Sequence, residues 1–390
     1  MCGTHHNRCQ DFGSMIFFST MRFIIFFLFL NLFAQGPIVL IVGTRPEAIK
    51  VIPVYRALKK VGVPALLCAT GQHAELLQEV FRVFGVHPDV DFAIMKPGQD
   101  LFHIHTAVME NCKEYFEKVG PSMVLVQGDT TSALAGALAA FYCQIPVGHI
   151  EAGLRTGNIH RPFPEEMNRK VITTLATLHF APTPDAVENL RREGVKENVY
   201  CTGNTVVDAL YSVTAEASTS LREKVEKAQG KKMLLTVHRR ELSEEEFSQV
   251  FRAVKAAVQK DPTFSVFYPA HPSPKIQKVI REERLDEVIS VLPPLSYSEL
   301  VYLLREVDFV ATDSGGIQEE AASLGKPVLC LRKENDRLEK GIGTETAAIL
   351  AGIESMKKMG RGEANFVYGD GHAAERIVDK IREHLVKENR

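Results

Sequence analysis

A chain of 390 residues with 45% hydrophobic and 24% charged content is too long for one compact core. Two globular domains of roughly 150–200 residues each are expected. A formal net charge of −2 with no basic block removes nucleic acid from the expected partners. Seven cysteines without CxxC or zinc-like spacing suit small core residues in a reducing cytoplasm.

Residues 1–36 read as an extension outside the core. Arg22 followed by FIIFFLFLNLF has the look of an export signal ending at Ala34. Leu32 fits poorly three residues before such a cut, and a bilayer span takes about 20 apolar residues. Upstream sequence read through from an early start is the preferred reading, ahead of an export signal or a partner-binding arm. Because the first strand begins at Pro37, a chain lacking 1–36 is expected to fold, and no stable membrane association is expected. Cys2, His5, His6 and Cys9 could hold a metal, but disorder is the stronger expectation there.

From Pro37, apolar strands alternate with amphipathic helices. Strand 37–43 precedes a helix near 46–60, strand 64–70 a helix around 73–84, and strand 121–129 an Ala-rich helix 131–142; strand 145–151 follows. The pattern restarts after NVYCTGNTVVDAL, with strands at 231–238, 264–271, 287–293, 307–313 and 327–332. Near-continuous apolar strands separated by helices predict parallel sheets covered on both faces. The fold class is therefore α/β, with Rossmann-like domains at 37–204 and 205–366. A C-terminal helix within 367–390 is expected to return to the first domain. Ligands of open α/β sheets bind beyond the strand carboxyl ends. Those positions hold Thr44–Arg45, Asp129, Glu151, His238, His271 and Asp313–Ser314.

GTRPEAIK (43–50) turns from strand to helix, and Thr44 and Glu47 have capping-box spacing. Capping leaves Arg45 and Lys50 unexplained, and two cations at a helix N-terminus suit an anion. TDSGGIQEEAASLGKP (312–327) repeats the arrangement: Ser314, Gly315 and Gly316 open a helix whose free N–H groups suit a diphosphate. Glu319 or Glu320 would then reach ribose hydroxyls; a plain strand–turn–helix link with acidic residues on the helix dipole is the alternative. No GxGxxG follows a strand and no GxxxxGK[ST] occurs, so nicotinamide redox chemistry and P-loop hydrolysis are disfavoured. Neither HxxxH nor an acidic metal cluster is present. Asp129 either caps the helix at 131 or belongs to the site. Glu151 ends a buried strand before Ala-Gly and has no helix to cap. Carboxylates gathered with a histidine, here Asp129, Glu151, Glu165, Glu166 and His238, suit proton transfer at a weakly acidic carbon.

Taken in order, GTRPEAIK, GDTTSALA, VGHIEAGLRTG, PFPEEMNR, TGNTVVDAL, HRRE, TDSGGIQEEA and SLGKPVL resemble the non-hydrolysing UDP-N-acetylglucosamine 2-epimerases from about residue 37 to 390. The resemblance implies a two-domain GT-B architecture. It implies interconversion of UDP-GlcNAc and UDP-ManNAc without NAD or metal, by elimination of UDP to a 2-acetamidoglucal and re-addition. A homodimer feeding surface polysaccharide synthesis is expected with it. On the family pattern Asp129, Glu151 and Glu165 correspond to catalytic carboxylates and His238 to the cleft histidine. Arg45, Lys50, Ser314, Glu320 and Arg337 correspond to UDP contacts, with His149, Arg155 and Arg161 as local supports. The chain departs from the pattern at Leu295 and Leu300, where relatives often carry Gln and Phe, and by lacking a Pro after Arg337. An activator site for a second UDP-GlcNAc would use Gln72, Gln99, Glu165, Arg239 and His271. Glu75 and Gly98 stand there where Gln and Arg are typical. A GT-B glycosyltransferase, a hydrolysing epimerase and a silent UDP-sugar sensor are the competing readings.

Overall fold

Runs of Val, Leu and Ile bounded by Gly, Pro and Thr form buried strands in both halves of the chain, all paired in parallel. The computed structural model describes residues 36–72, 74–239, 241–337, 339–360, 362 and 365–388. The extension through residue 35, with Cys2, His5, His6 and Cys9, lies outside the described residues.

The first half runs β1 (Ile38–Val42), α1 (Arg45–Lys60), β2 (Ala65–Ala69), α2 (Ala74–Phe84), β3 (Val90–Asp91) and α3 (Leu101–Val119). It continues with β4 (Met123–Gln127), α4 (Thr131–Tyr142), β5 (Val147–Ile150), α5 (Glu165–Leu175), β6 (Leu178–Ala181), α6 (Pro184–Arg192) and β7 (Val199–Cys201). Helices α7 (Thr205–Ser212) and α8 (Thr219–Lys227) lead to the second sheet. There β8 (Lys232–Thr236), α9 (Glu244–Lys260), β9 (Ser265–Pro269), α10 (Pro274–Glu282) and β10 (Ser290–Leu292) come first. After them come α11 (Tyr297–Glu306), β11 (Phe309–Thr312), α12 (Gly315–Ser323), β12 (Val328–Cys330), α13 (Thr346–Lys358) and α14 (Ala373–Glu388).

The strand orders are β3-β2-β1-β4-β5-β6-β7 and β10-β9-β8-β11-β12. Each sheet reverses its winding once, between β1 and β4 and between β8 and β11. Such switch points open the crevice in which doubly wound sheets bind ligands. Apolar clusters cover both faces of each sheet. One of them crosses between the halves, joining Ile52 of α1 to Val206 of α7, Tyr297 of α11 and Ile381 of α14. Helix α14 lies against α1 and α7. Asp208 caps it, accepting from Ala373 N at 3.2 Å and Ala374 N at 2.8 Å.

Two local expectations are corrected. Capping boxes form at Ser243–Glu246 and Ser296–Glu299, but none forms at Thr44–Glu47. Glu47 is buried and accepts instead from Gly43 N at 3.1 Å and the Thr130 hydroxyl at 2.8 Å, because the β4–α4 turn lies beside the end of β1. Thr130, not Asp129, caps α4 by accepting from Ala133 N at 3.0 Å. Helix α3 and the short strands β3, β6 and β7 were not anticipated. The α3 signal was present, since Ile104, Val108, Cys112 and Phe116 recur every four residues and are all buried. No helix among the described residues is long and apolar enough to cross a membrane.

His149 and His179 are neighbours in the β5–β6 register and are both buried. Burial pushes His149 down to about 3 and His179 to about 4. The unfolded chain protonates both below about pH 6.5 while the folded chain keeps them neutral, so stability is lost as pH falls from there. Each contributes a slope of roughly 1.4 kcal/mol per pH unit. Urea unfolding between about pH 6.5 and 4.5 should give a slope in His179→Gln smaller than wild type by about that amount. Equal slopes would show that His179 charges without penalty.

Candidate active site

At the first switch point, β1 delivers α1 and its cations, and β4 delivers Asp129. Lys50 is buried on α1 and pairs with Glu151 Oε2 and, at 3.5 Å, with Glu319 Oε2. Glu151 follows β5 at φ +66, a left-handed conformation rare outside glycine, which turns its carboxyl back over the sheet end. Its Oε2 also accepts from Asn204 Nδ2 at 3.1 Å, and its Oε1 lies 3.4 Å from Arg337 Nη2. Arg45 reaches the other half of the chain, donating to Leu295 O at 3.2 Å with Glu79 at 3.7 Å.

The second switch point supplies the opposite wall. His238 follows β8, and Ser314 starts α12 after β11 without a side-chain cap bond. A Cβ at Gly315 would sit 3.1 Å from Arg337 Nη2 and 3.2 Å from Arg332 Nη2, so a side chain there would press on two guanidinium groups. Gly316 faces open space. Glu320 takes a hydrogen bond from the Tyr297 hydroxyl at 2.8 Å, yet burial pushes its carboxyl up to about 7. Glu319, the other candidate for ribose, is engaged by Arg337 Nε at 2.5 Å.

These pairs belong to one buried ionic chain that runs between the halves. Arg337 pairs with Glu151, Glu319 and, at 2.9 Å, Asp336. Asp336 meets Arg332 at 2.7 Å and Arg169 at 2.7 Å. Arg169 in turn holds Asp129 at 2.7 Å and Glu166 at 3.2 Å. Sequence reasoning assigned no role to Arg169, Arg332 or Asp336, and Arg169 was visible only as the end of PFPEEMNR. Burial opposes the charge on Glu151, but Lys50 and Arg337 outweigh it and hold the carboxyl below its usual range. For Glu319 burial wins over the same cations, and the carboxyl is raised.

Glu165 opens α5 close to Asp129, and burial, reinforced by the Asp129 charge, raises its carboxyl. Of the five residues expected around a second nucleotide sugar, Glu165 lies by Asp129 and the other four fall in two pairs on opposite halves. Gln99 Nε2 donates to Gln72 O at 2.9 Å. Across the crevice, Arg239 donates to Asp313 O at 3.0 Å, and the His271 ring lies parallel to His238 at 6.1 Å. Of the supports, His149 bonds Gly128 O at 2.8 Å and Arg155 holds Glu193 at 2.6 Å. Arg161 is exposed beside Glu334 at 3.6 Å.

Replacing Arg169 by Met leaves Asp129, Glu166 and Asp336 short of a partner, which should cost on the order of 3–5 kcal/mol in urea unfolding. Arg161→Met, at an exposed pair, should stay within about 0.5 kcal/mol of wild type. Equal effects would show that the ionic chain does not hold the halves together.

Residues 56–382 match the family model for UDP-N-acetylglucosamine 2-epimerase. The UDP-N-acetylglucosamine 2-epimerase of Yersinia pestis is 40% identical over 370 residues, 88% of this chain and 98% of its own. The S. aureus MnaA–UDP co-structure has a TM-score of 0.84 at 36% identity, covering 90% of this chain and 97% of that one. UDP-GlcNAc 2-epimerase from Neisseria meningitidis, bound to UDP-GlcNAc, has a TM-score of 0.81 at 39% identity, covering 89% and 100%. With two doubly wound sheets facing one charged crevice, in the GT-B arrangement, this chain belongs to the UDP-N-acetylglucosamine 2-epimerase family.

Proposed function

We propose that the chain interconverts UDP-GlcNAc and UDP-ManNAc at C2 without net hydrolysis, as a cytoplasmic supplier of ManNAc units for surface polysaccharide. One observation carries this reading. Asp129, Glu151 and Glu165 come from the first half and His238 from the second, with Asp129 and His238 at the two switch points and cations suited to a diphosphate beside them.

Epimerisation needs a base to take the C2 proton while the C1–O bond to UDP breaks. The C–H electron pair becomes the C1=C2 bond of a 2-acetamidoglucal. Return delivers a proton to the opposite face of C2, and a β-phosphate oxygen re-forms the bond to C1. Glu165, raised by burial and by Asp129, exchanges protons nearer neutral pH than an ordinary carboxylate. His238 faces these carboxylates from the second half of the chain. The diphosphate lies at the start of α12, where the first-turn N–H groups are free of helix bonds and the Ser314 hydroxyl adds a donor. As its charge draws Lys50 and Arg337, Glu151 loses the neighbours that hold it ionised. Substrate binding thereby turns Glu151 into a better base.

In D₂O, without NAD or acceptor, UDP-GlcNAc should yield UDP-ManNAc carrying deuterium at C2. Free ManNAc with stoichiometric UDP would establish hydrolysis instead, and unlabelled product would sink elimination. Glu151→Gln and Glu165→Gln should each lose roughly 10²–10⁴ in kcat.

The same reading makes activation by a second UDP-GlcNAc weak. Arg239 is already engaged by Asp313 O and, at 2.7 Å, by Glu241, and Gly98 supplies no cation. A missing charge-assisted phosphate contact is worth roughly 10–150-fold in affinity. Pure UDP-ManNAc should therefore be converted without a lag. A lag abolished by micromolar UDP-GlcNAc would contradict this.

A further inference from the structure

Strands β8 and β11 pair with Thr236 beside Thr312, so the residues just beyond them leave the sheet together. Asp313 N donates to Thr236 O at 3.1 Å, which brings the Asp313 side chain against the start of the His238 loop. Asp313 is wholly buried. Its Oδ2 accepts from two successive backbone N–H groups, His238 at 2.8 Å and Arg239 at 2.9 Å. Its carbonyl is clamped as well, by Arg332 Nε at 2.6 Å and Arg239 Nε at 3.0 Å. Two of these bonds anchor Oδ2, the other two hold the backbone, and one carboxylate oxygen is left over. That oxygen, Oδ1, is buried without a formed hydrogen bond and lies 3.4 Å from His238 Nδ1.

From this geometry we propose that Asp313 is the positioning residue of His238. It holds the imidazole in the Nδ1–H tautomer, with Nε2 on the open side of the ring as the atom that exchanges protons. What His238 does rests on the epimerase reading; how it is held does not. A buried carboxylate oxygen needs a donor, and an Nε2–H tautomer would set the Nδ1 lone pair against it. At 3.4 Å the contact is longer than a formed N–H···O bond, so it has room to tighten when the ring gains a proton. The parallel His271 ring provides an internal contrast. Its Nδ1 accepts from Ser273 N at 3.1 Å, so its neutral form carries the proton on Nε2. Two neighbouring imidazoles thus hold opposite tautomers, and only the one beside Asp313 presents a bare Nε2.

Long-range ¹H–¹⁵N spectra of the full chain labelled at histidine test this directly, with His238 assigned by the signal lost in His238→Gln. The expected result is a protonated Nδ1 and an unprotonated Nε2 at His238. In Asp313→Asn the amide oxygen keeps the backbone N–H groups and its NH₂ faces Nδ1, so the tautomer should switch. kcat on UDP-GlcNAc should fall roughly 10²–10⁴-fold with KM little changed, and in a His238→Gln background Asp313→Asn should cost nothing more. An Nε2–H tautomer in the wild-type chain, an unswitched tautomer in Asp313→Asn, or additive kinetic losses would each overturn the proposal. Should Asp313→Asn not fold, the wild-type spectrum alone decides. A chain with the expected tautomers but no epimerase activity would support the positioning and refute the epimerase reading.

Discussion

The buried grouping of Lys50, Glu151, Glu319 and Arg337 is the interaction on which the rest of the structure depends. Four ionised or ionisable side chains from both halves meet where the two sheets end. Removing such charges from water is expensive, and a fold does not retain them for stability alone. They persist because each cation is shared among at least two carboxylates and the chain of pairs continues through Asp336 to Arg169 and Asp129. Charge neutralisation therefore ties the halves together, and it also sets the proton affinity of the groups available for chemistry. Glu151 is held ionised, whereas Glu319, Glu320 and Glu165 are raised.

The two sheets reach the same solution by the same topology. Their central strands, β1 with β4 and β8 with β11, each release one turn carrying chemistry and one turn opening a helix. In the first half Asp129 accompanies the cations of α1; in the second His238 accompanies Ser314 and α12. In the proposed function, chemistry enters through residues just past the strand ends, where side chains are free of the apolar demand that fills the strands themselves. Asp313 is the instructive exception. It is polar, wholly buried, and bonded mainly to backbone, so it serves the chain beside it rather than the crevice.

Much of this is legible in the sequence. The strands of both sheets that run four or more apolar residues announced themselves, and so did the loaded strand ends. What escaped were elements too short to show a period, such as β3 and β7, and relations that only three dimensions create. Thr44 and Glu47 have capping-box spacing, yet Thr130 from a distant turn captures the Glu47 carboxyl. Asp129 sits two residues before the helix that starts at Thr131, and its neighbour Thr130 does the capping. Arg169 and Asp336 lie far apart in sequence, and no local pattern links them. Ion pairs of that separation leave no trace in composition or spacing, and neither does the +66° φ that aims Glu151 inward.

In the proposed function, the cations holding Glu151 ionised are those the diphosphate takes. Infrared titration of the Glu151 carboxyl, isolated as the difference between wild type and Glu151→Gln, tests it with and without UDP. In the free protein Glu151 should remain ionised at about pH 4.5, where an ordinary glutamate is half protonated, and UDP should raise its midpoint. A midpoint that UDP leaves unchanged or lowers would contradict the account.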